Sequence, residues 1–136
     1  MEGCIFCRII NGEIPSYKVY EDEDILAVLD INPIVKGHTL VLPKRHSKWV
    51  WDMEDQGYQN LMGKVKHLAI ALRQAFNTEW VAEGIAGVDI PHSHVHLLPR
   101  DINDGLGAFP PSKTMEPKLS DQEMEEIAQR IKEKII

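Results

Sequence analysis

Three histidines occupy alternate positions in the stretch IPHSHVHLLPR, residues 90 to 100: His92, His94 and His96, from a chain that holds six. Imidazole exchanges a proton near neutral pH, so it serves as nucleophile, general acid–base group or metal ligand. On a β-strand, side chains two apart share a face, and successive Cα atoms of the three would stand about 6.6–7 Å apart. Three readings compete. The plainest makes them surface or packed core residues, which three in five positions renders improbable. In the second, two of them at i and i+2 share a zinc ion whose open position activates water. In the third, one neutral imidazole attacks an electrophile while its neighbours orient it and stabilise charge. Residue counting does not separate the last two.

Cys4 and Cys7 are the only cysteines and form one C-x-x-C. In a reducing compartment this spacing points to half a metal site or a redox dithiol before a structural disulfide. The redox reading expects a preceding strand, and nothing upstream of Cys4 supplies one.

The elements that must carry these residues follow from hydrophobic period. KVYEDEDILAVLD reads as two short strands, Lys18 to Glu21 and Ile25 to Leu29, joined by an acidic turn. GHTLVLPK gives a third, starting after Gly37 and stopping at Pro43. From Asp55 to Phe76 the period becomes helical, with Leu61, Val65, Leu68, Leu72 and Ala75 on one stripe. EWVAEGIAG resumes an extended pattern, and HSHVHLLP is the fifth strand, ended by Pro99. RDINDGLGAFPPSK is loop, and its Phe109-Pro110-Pro111 segment is read as surface. Ser120 with Glu123 forms a capping-box signature for a last helix striped by Met124, Ile127, Ala128, Ile131 and Ile135. Adjacent strands with segregated helices predict an antiparallel α+β fold: about five strands, one long central helix and a C-terminal helix. One domain over residues 1–136 suits that length.

Composition narrows the partners. A net charge of −6 argues against a nucleic-acid polymer or an anionic membrane as ligand, and leaves room for a small phosphate compound held by local donors. No apolar run reaches the ~18 residues that span a bilayer, and no secretory pattern opens the chain, so the expected location is cytoplasmic.

DINPIVKGHTLVLPKRH followed by AGVDIPHSHVHLLPR resembles the histidine-triad (HIT) family of nucleotide hydrolases and transferases. The His-φ-His-φ-His-φ-φ pattern is that family's signature, with Ser93 its one loose fit, and the likeness covers roughly residues 4 to 100. The resemblance implies a small nucleotide substrate, with His94 as nucleophile on its α-phosphorus and a nucleotidyl-histidine intermediate. His96 would donate to phosphate or leaving group. It also implies a structural zinc held by Cys4, Cys7, His46 and His92, with no ion required for the chemistry. Asp30 matches the ribose-binding position; Ile5, Phe6, Ile9, Val28 and Ile31 match apolar positions around the base, though Ile9 and Val28 suit core packing equally. Gly87 matches a place where backbone nears phosphate. His38 is expected to be structural and His67 to pack or face solvent. Members of this size are commonly homodimers that share a sheet.

The chain departs from the family where many members carry Ala-Gly-Gln ahead of the triad. Here the run is AGVD, with Val88 in the glutamine position and Asp89 beside it. Val88 donates nothing to a phosphate, and Asp89 would repel one if it pointed inward. The reading is therefore a hydrolase of AMP phosphoramidates or dinucleoside polyphosphates, with the substrate open. Two alternatives stand beside it: a non-catalytic nucleotide-binding module and a catalytic zinc enzyme using triad ligands.

Overall fold

The computed structural model describes residues 3–109 and 113–135; Pro110 and Pro111 lie outside them. A short helix α1 (Ile5–Ile10) leads into β1 (Lys18–Glu21), β2 (Ile25–Leu29) and β3 (Thr39–Pro43). The long helix α2 (Asp55–Phe76), β4 (Trp80–Gly84), β5 (Val95–Arg100) and α3 (Asp121–Lys132) follow. The five strands form one antiparallel sheet in the order β1-β2-β3-β5-β4. This is the α+β architecture that the hydrophobic periods predict. No helix among the described residues is long and apolar enough to cross a membrane.

Strands β2 and β3 read ILAVL and TLVLP, apolar without alternation, because both faces of the sheet are covered. Ile25, Ala27, Leu29, Val41, Val95 and Leu97 face a core with α2 and α3. Leu26, Val28, Leu40 and Leu42 face the other way, onto Cys4, Phe6 and Cys7 of the N-terminal segment. The candidate site lies on this second face.

Helix α2 buries Leu61, Val65, Leu68 and Leu72, as its stripe requires, and stops at Asn77, whose φ of 48° is left-handed. Helix α3 begins with the complete Ser120–Glu123 capping box and buries Met124, Ile127, Ala128 and Ile131. Helix α1 was not legible from the sequence. One and a half turns are too few for a period, and its cap is a cysteine: the Cys4 sulfur accepts from the Cys7 N–H at 3.3 Å.

Two expectations about the triad strand need correction. β5 starts at Val95, so His92 and His94 precede it instead of sharing one strand face with His96. The approach to β5 is bound sideways, as Ser93 donates from N and Oγ to the Ser47 carbonyl at 2.7 and 2.9 Å, outside any ladder. Pro99 does not end the strand but lies within it, opposite Val81 of β4. It is tolerated because the β3 pairing stops at Thr39↔Leu97, two residues earlier.

Gly37 sets the entry to β3. Its φ is +86°, and a Cβ there would lie 2.5 Å from the Phe76 ring and 2.9 Å from Pro99. Gly37→Ala combines left-handed strain with overpacking and should cost roughly 2–4 kcal/mol. Urea unfolding of the variant beside wild type measures that loss, and a change below about 0.5 kcal/mol would contradict it.

Candidate active site

β3 and β5 pair with Leu40 opposite His96 and Val41 opposite Val95. That register brings His38 and Asp30, at one end of β3, against His96, and brings His46, at the other end, against His92. His94 lies between. Its ring centroid is 4.9 Å from that of His96 and 4.9 Å from that of Phe6, both edge-on.

Backbone groups decide which nitrogen of each ring is free, since a carbonyl only accepts and an amide N–H only donates. His94 Nδ1–H donates to the His92 carbonyl at 2.7 Å, so its Nε2 keeps the lone pair. His92 Nε2–H donates to the Pro43 carbonyl at 2.8 Å, so its Nδ1 keeps the lone pair. His38 Nδ1 accepts from the Ile34 N–H at 3.1 Å, which puts its proton on Nε2. That proton is donated to His96 Nδ1 at 2.9 Å, leaving an N–H on His96 Nε2. His94 thus offers a nucleophilic nitrogen and His96 a donor.

The assignment of His38 and His96 holds for neutral rings, and burial keeps those two neutral. It pushes the His38 pKa down to about 3 and that of His96 to about 4, with neighbouring histidines adding to the effect. Burial also raises the pKa of Asp30, against the opposing effect of the Asn32 N–H. One Asp30 oxygen accepts from that N–H at 2.8 Å, so the residue does close the turn before Pro33; the other lies 3.6 Å from His38 Nε2.

Among the described residues two groups of side chains have metal-ligand spacing: Cys4, Cys7, His46 and His92, and separately Asp30, His38 and His96. In the first, His92 Nδ1 lies 3.4 Å from the Cys4 sulfur and 3.2 Å from His46 Nδ1, while Cys7 Sγ lies 3.3 Å from His46 Nδ1. Bonds of about 2.3 Å to sulfur and 2.0–2.1 Å to nitrogen, at tetrahedral angles, imply ligand separations of about 3.3–3.8 Å. The set therefore fits one tetrahedral ion, and the His92 tautomer aims its lone pair inward. Burial, with the Cys4 sulfur adding to it, raises the Cys7 pKa, a state that a divalent cation would reverse. The second group does not fit: the nitrogen His38 would offer already carries the proton bound by His96. A catalytic ion on His94 and His96 fares no better, because His94 belongs to neither group.

The remaining expected residues are placed as follows. Phe6 is buried, edge-on to His92 and His94, while Ile5 and Ile31 are exposed at 43% and 63%. Val28 is core and Ile9 packs against it. Gly87 has φ +76°, and the space a Cβ would take is filled by the Trp49 ring at 3.2 Å. Asp89 is exposed and His67 faces solvent. A cleft of about 1190 Å³ borders the Cys/His group at Cys4 and His46 but includes neither His94 nor Asp30.

His38 is the residue that sequence reasoning undervalued. It is 2% exposed, and its hydrogen bond to His96 makes it a fourth member of the histidine array. Its parity was the available signal, since 38, 40 and 42 share the face that carries the site.

The HIT domain family model matches residues 11–103, and the chain belongs to that family. It is 45% identical over 113 residues to Protein hit of Bacillus subtilis, covering 79% of this chain and 78% of that one. It is 40% identical over 106 residues to adenosine 5'-monophosphoramidase HNT1 of Saccharomyces cerevisiae, covering 76% and 67%. A zinc-bound histidine triad family protein from Mycobacterium smegmatis superposes with a TM-score of 0.82 at 29% identity, covering 98% and 93%.

Two outcomes are expected. Elemental analysis should find one zinc per chain, lost in Cys4→Ser/Cys7→Ser together with several degrees of melting temperature; full occupancy in that variant would contradict the ligand set. For pH, His38 and His96 bind protons less readily folded than at the ordinary value of 6.5. Between about pH 6.5 and 4 the unfolded chain therefore holds more protons, and stability falls as pH is lowered through that window. His38→Asn should melt with a shallower pH slope there than wild type, and an unchanged slope would remove His38 as its source.

Proposed function

We propose that the protein is a nucleotide hydrolase acting at the α-phosphorus of a nucleotidyl substrate, either an AMP phosphoramidate or a dinucleoside polyphosphate. The observation that carries this reading is the tautomer of His94: its Nδ1–H is committed to the His92 carbonyl, so Nε2 is free to attack. A name such as adenosine 5'-monophosphoramidase, borne by the 40% identical yeast relative, supports the same reaction class.

In this reading Asp30 receives the ribose hydroxyls, with its Oδ2 open to them, and Ile5 and Ile31 offer apolar surface to the base. Phe6 braces the nucleophile from behind. His94 Nε2 forms a bond to phosphorus as the bond to the leaving group breaks in line. The ring gains positive charge, which the His92 carbonyl stabilises through Nδ1–H. His96 Nε2–H donates a hydrogen bond to the phosphoryl oxygens or to the departing atom, held in that tautomer by the hydrogen bond from His38, and the departing group takes any proton it needs from water. Water then attacks phosphorus, returning the electron pair to His94 Nε2 and releasing the nucleoside monophosphate. Gly87 amide approach to phosphate belongs to the same reading.

Cys4, Cys7, His46 and His92 would hold a structural zinc, which closes its four positions on protein ligands and contributes cross-linking instead of chemistry. We place the protein in the cytoplasm, as a homodimer joined along β4, which is an edge of the sheet. Tyr58 and Ile70 of α2 are exposed apolar surface for the same contact.

Purified protein should release AMP from at least one member of a panel of AMP phosphoramidates and dinucleoside polyphosphates. His94→Ala should lose at least about 10³-fold in kcat while still binding AMP. AMP binding by the wild type with no turnover on any member would instead mark a non-catalytic binding module.

A further inference from the structure

Trp49 and Trp51 stack nearly parallel, 8° apart with ring centroids at 5.3 Å, yet Trp51 remains 70% exposed. One indole face is thus supported and the opposite face is open to solvent, a costly arrangement for so large an apolar ring. The pair is tied to the site. Ser47 donates from Oγ to the Trp49 carbonyl at 2.8 Å, and its own carbonyl accepts both hydrogen bonds of Ser93, the residue between His92 and His94. The Trp49 ring also fills the space beside Gly87, in the loop that runs from β4 back to the triad. Gly84 at the start of that loop lies opposite His96, and Val88 in its middle is 80% exposed.

The triad therefore has two unlike flanks. One is the Asp30 and His38 side, assigned above to the nucleoside. The other presents a supported indole, an exposed valine and one free cation. Lys44 and Arg45 of the same segment are paired with Glu21 and Glu54, whereas Lys48 has no carboxylate within ion-pair distance among the described residues. Its ammonium lies 5.4 Å from the Trp49 ring centre. A positive charge at the half-buried ring that supports the exposed indole, on a chain of net charge −6, complements a bridging phosphate that ends in an aromatic base.

We propose that Trp51, backed by Trp49, whose ring also meets Gly87 next to Val88 and the Lys48 ammonium, is the leaving-group subsite, and that it takes the second nucleobase of a dinucleoside polyphosphate. This rests on the nucleotidyl-transfer reading and narrows its substrate class. It also gives the departure at Val88 a physical sense: apolar contact replaces a polar side chain where a base, not an amine, departs.

The test compares diadenosine triphosphate with adenosine 5'-phosphoramidate, which bears the same AMP group and no second base. Relative to wild type, Trp51→Ala should lower the ratio of kcat/KM for the dinucleotide over the phosphoramidate by about tenfold, the scale of one lost base stack. Lys48→Ala should lower it in the same direction, and only the dinucleotide should quench tryptophan fluorescence. Equal change in both substrates, or none, overturns the subsite while leaving His94 chemistry intact. If wild type turns over neither, the catalytic reading fails, and fluorescence titration with AMP and with diadenosine triphosphate decides the subsite alone. Tighter binding of the dinucleotide that Trp51→Ala abolishes supports it, and equal affinities overturn it.

Discussion

The pairing of β3 with β5 is the contact on which the site depends. Few residue pairs make it, from Thr39↔Leu97 to Val41↔Val95, yet it joins segments more than fifty positions apart. Slipping this ladder by one residue would invert every side chain on β5, sending His96 to the helix side and Leu97 to the histidines. The register is held because both faces are apolar on β3: Val41 is needed in the α2–α3 core, and Leu40 and Leu42 against α1. The hydrophobic effect thus positions the polar chemistry.

Given that register, the histidines are differentiated by the backbone. Four imidazoles of identical intrinsic chemistry end with different nitrogens free, according to which ring atom meets a carbonyl, an amide or another ring. Burial supports the assignment by holding His38 and His96 neutral, because a doubly protonated His38 would leave the Ile34 N–H facing another donor. The carbonyl that orients His94 belongs to His92, so the Cys/His group and the proposed nucleophile are separated by a single residue of backbone. Phe6, between the two cysteines on α1, touches both rings. An ion at Cys4, Cys7, His46 and His92 would therefore stiffen the nucleophile's support without touching substrate.

The run AGVD, which departs from the Ala-Gly-Gln pattern of many family members, lies in the loop after Gly84, where the sheet stops constraining the backbone. Val88 and Asp89 are both exposed. What borders that loop is aromatic, and the two indoles come from a segment before α2 that no strand pairing includes.

Much of this was readable along the chain. The triad spacing, the C-x-x-C, the α2 stripe and the α3 capping box are local patterns, and local sterics and hydrogen bonding make them recur wherever they occur. The roles proposed for Asp30, His46 and His92 were reachable only through likeness to a family, because they involve partners far off in sequence. The onset of β5 at Val95, the tautomer of each histidine and the stacking of Trp49 on Trp51 were not readable at all. Each depends on which carbonyl or ring arrives beside it when distant segments pack, as Pro43 does for His92 and Ile34 for His38. Residue types and their spacing determined what chemistry this protein could hold. Only the tertiary contacts decided which nitrogen is free to perform it, since a ring's proton goes to the side where an acceptor happens to lie.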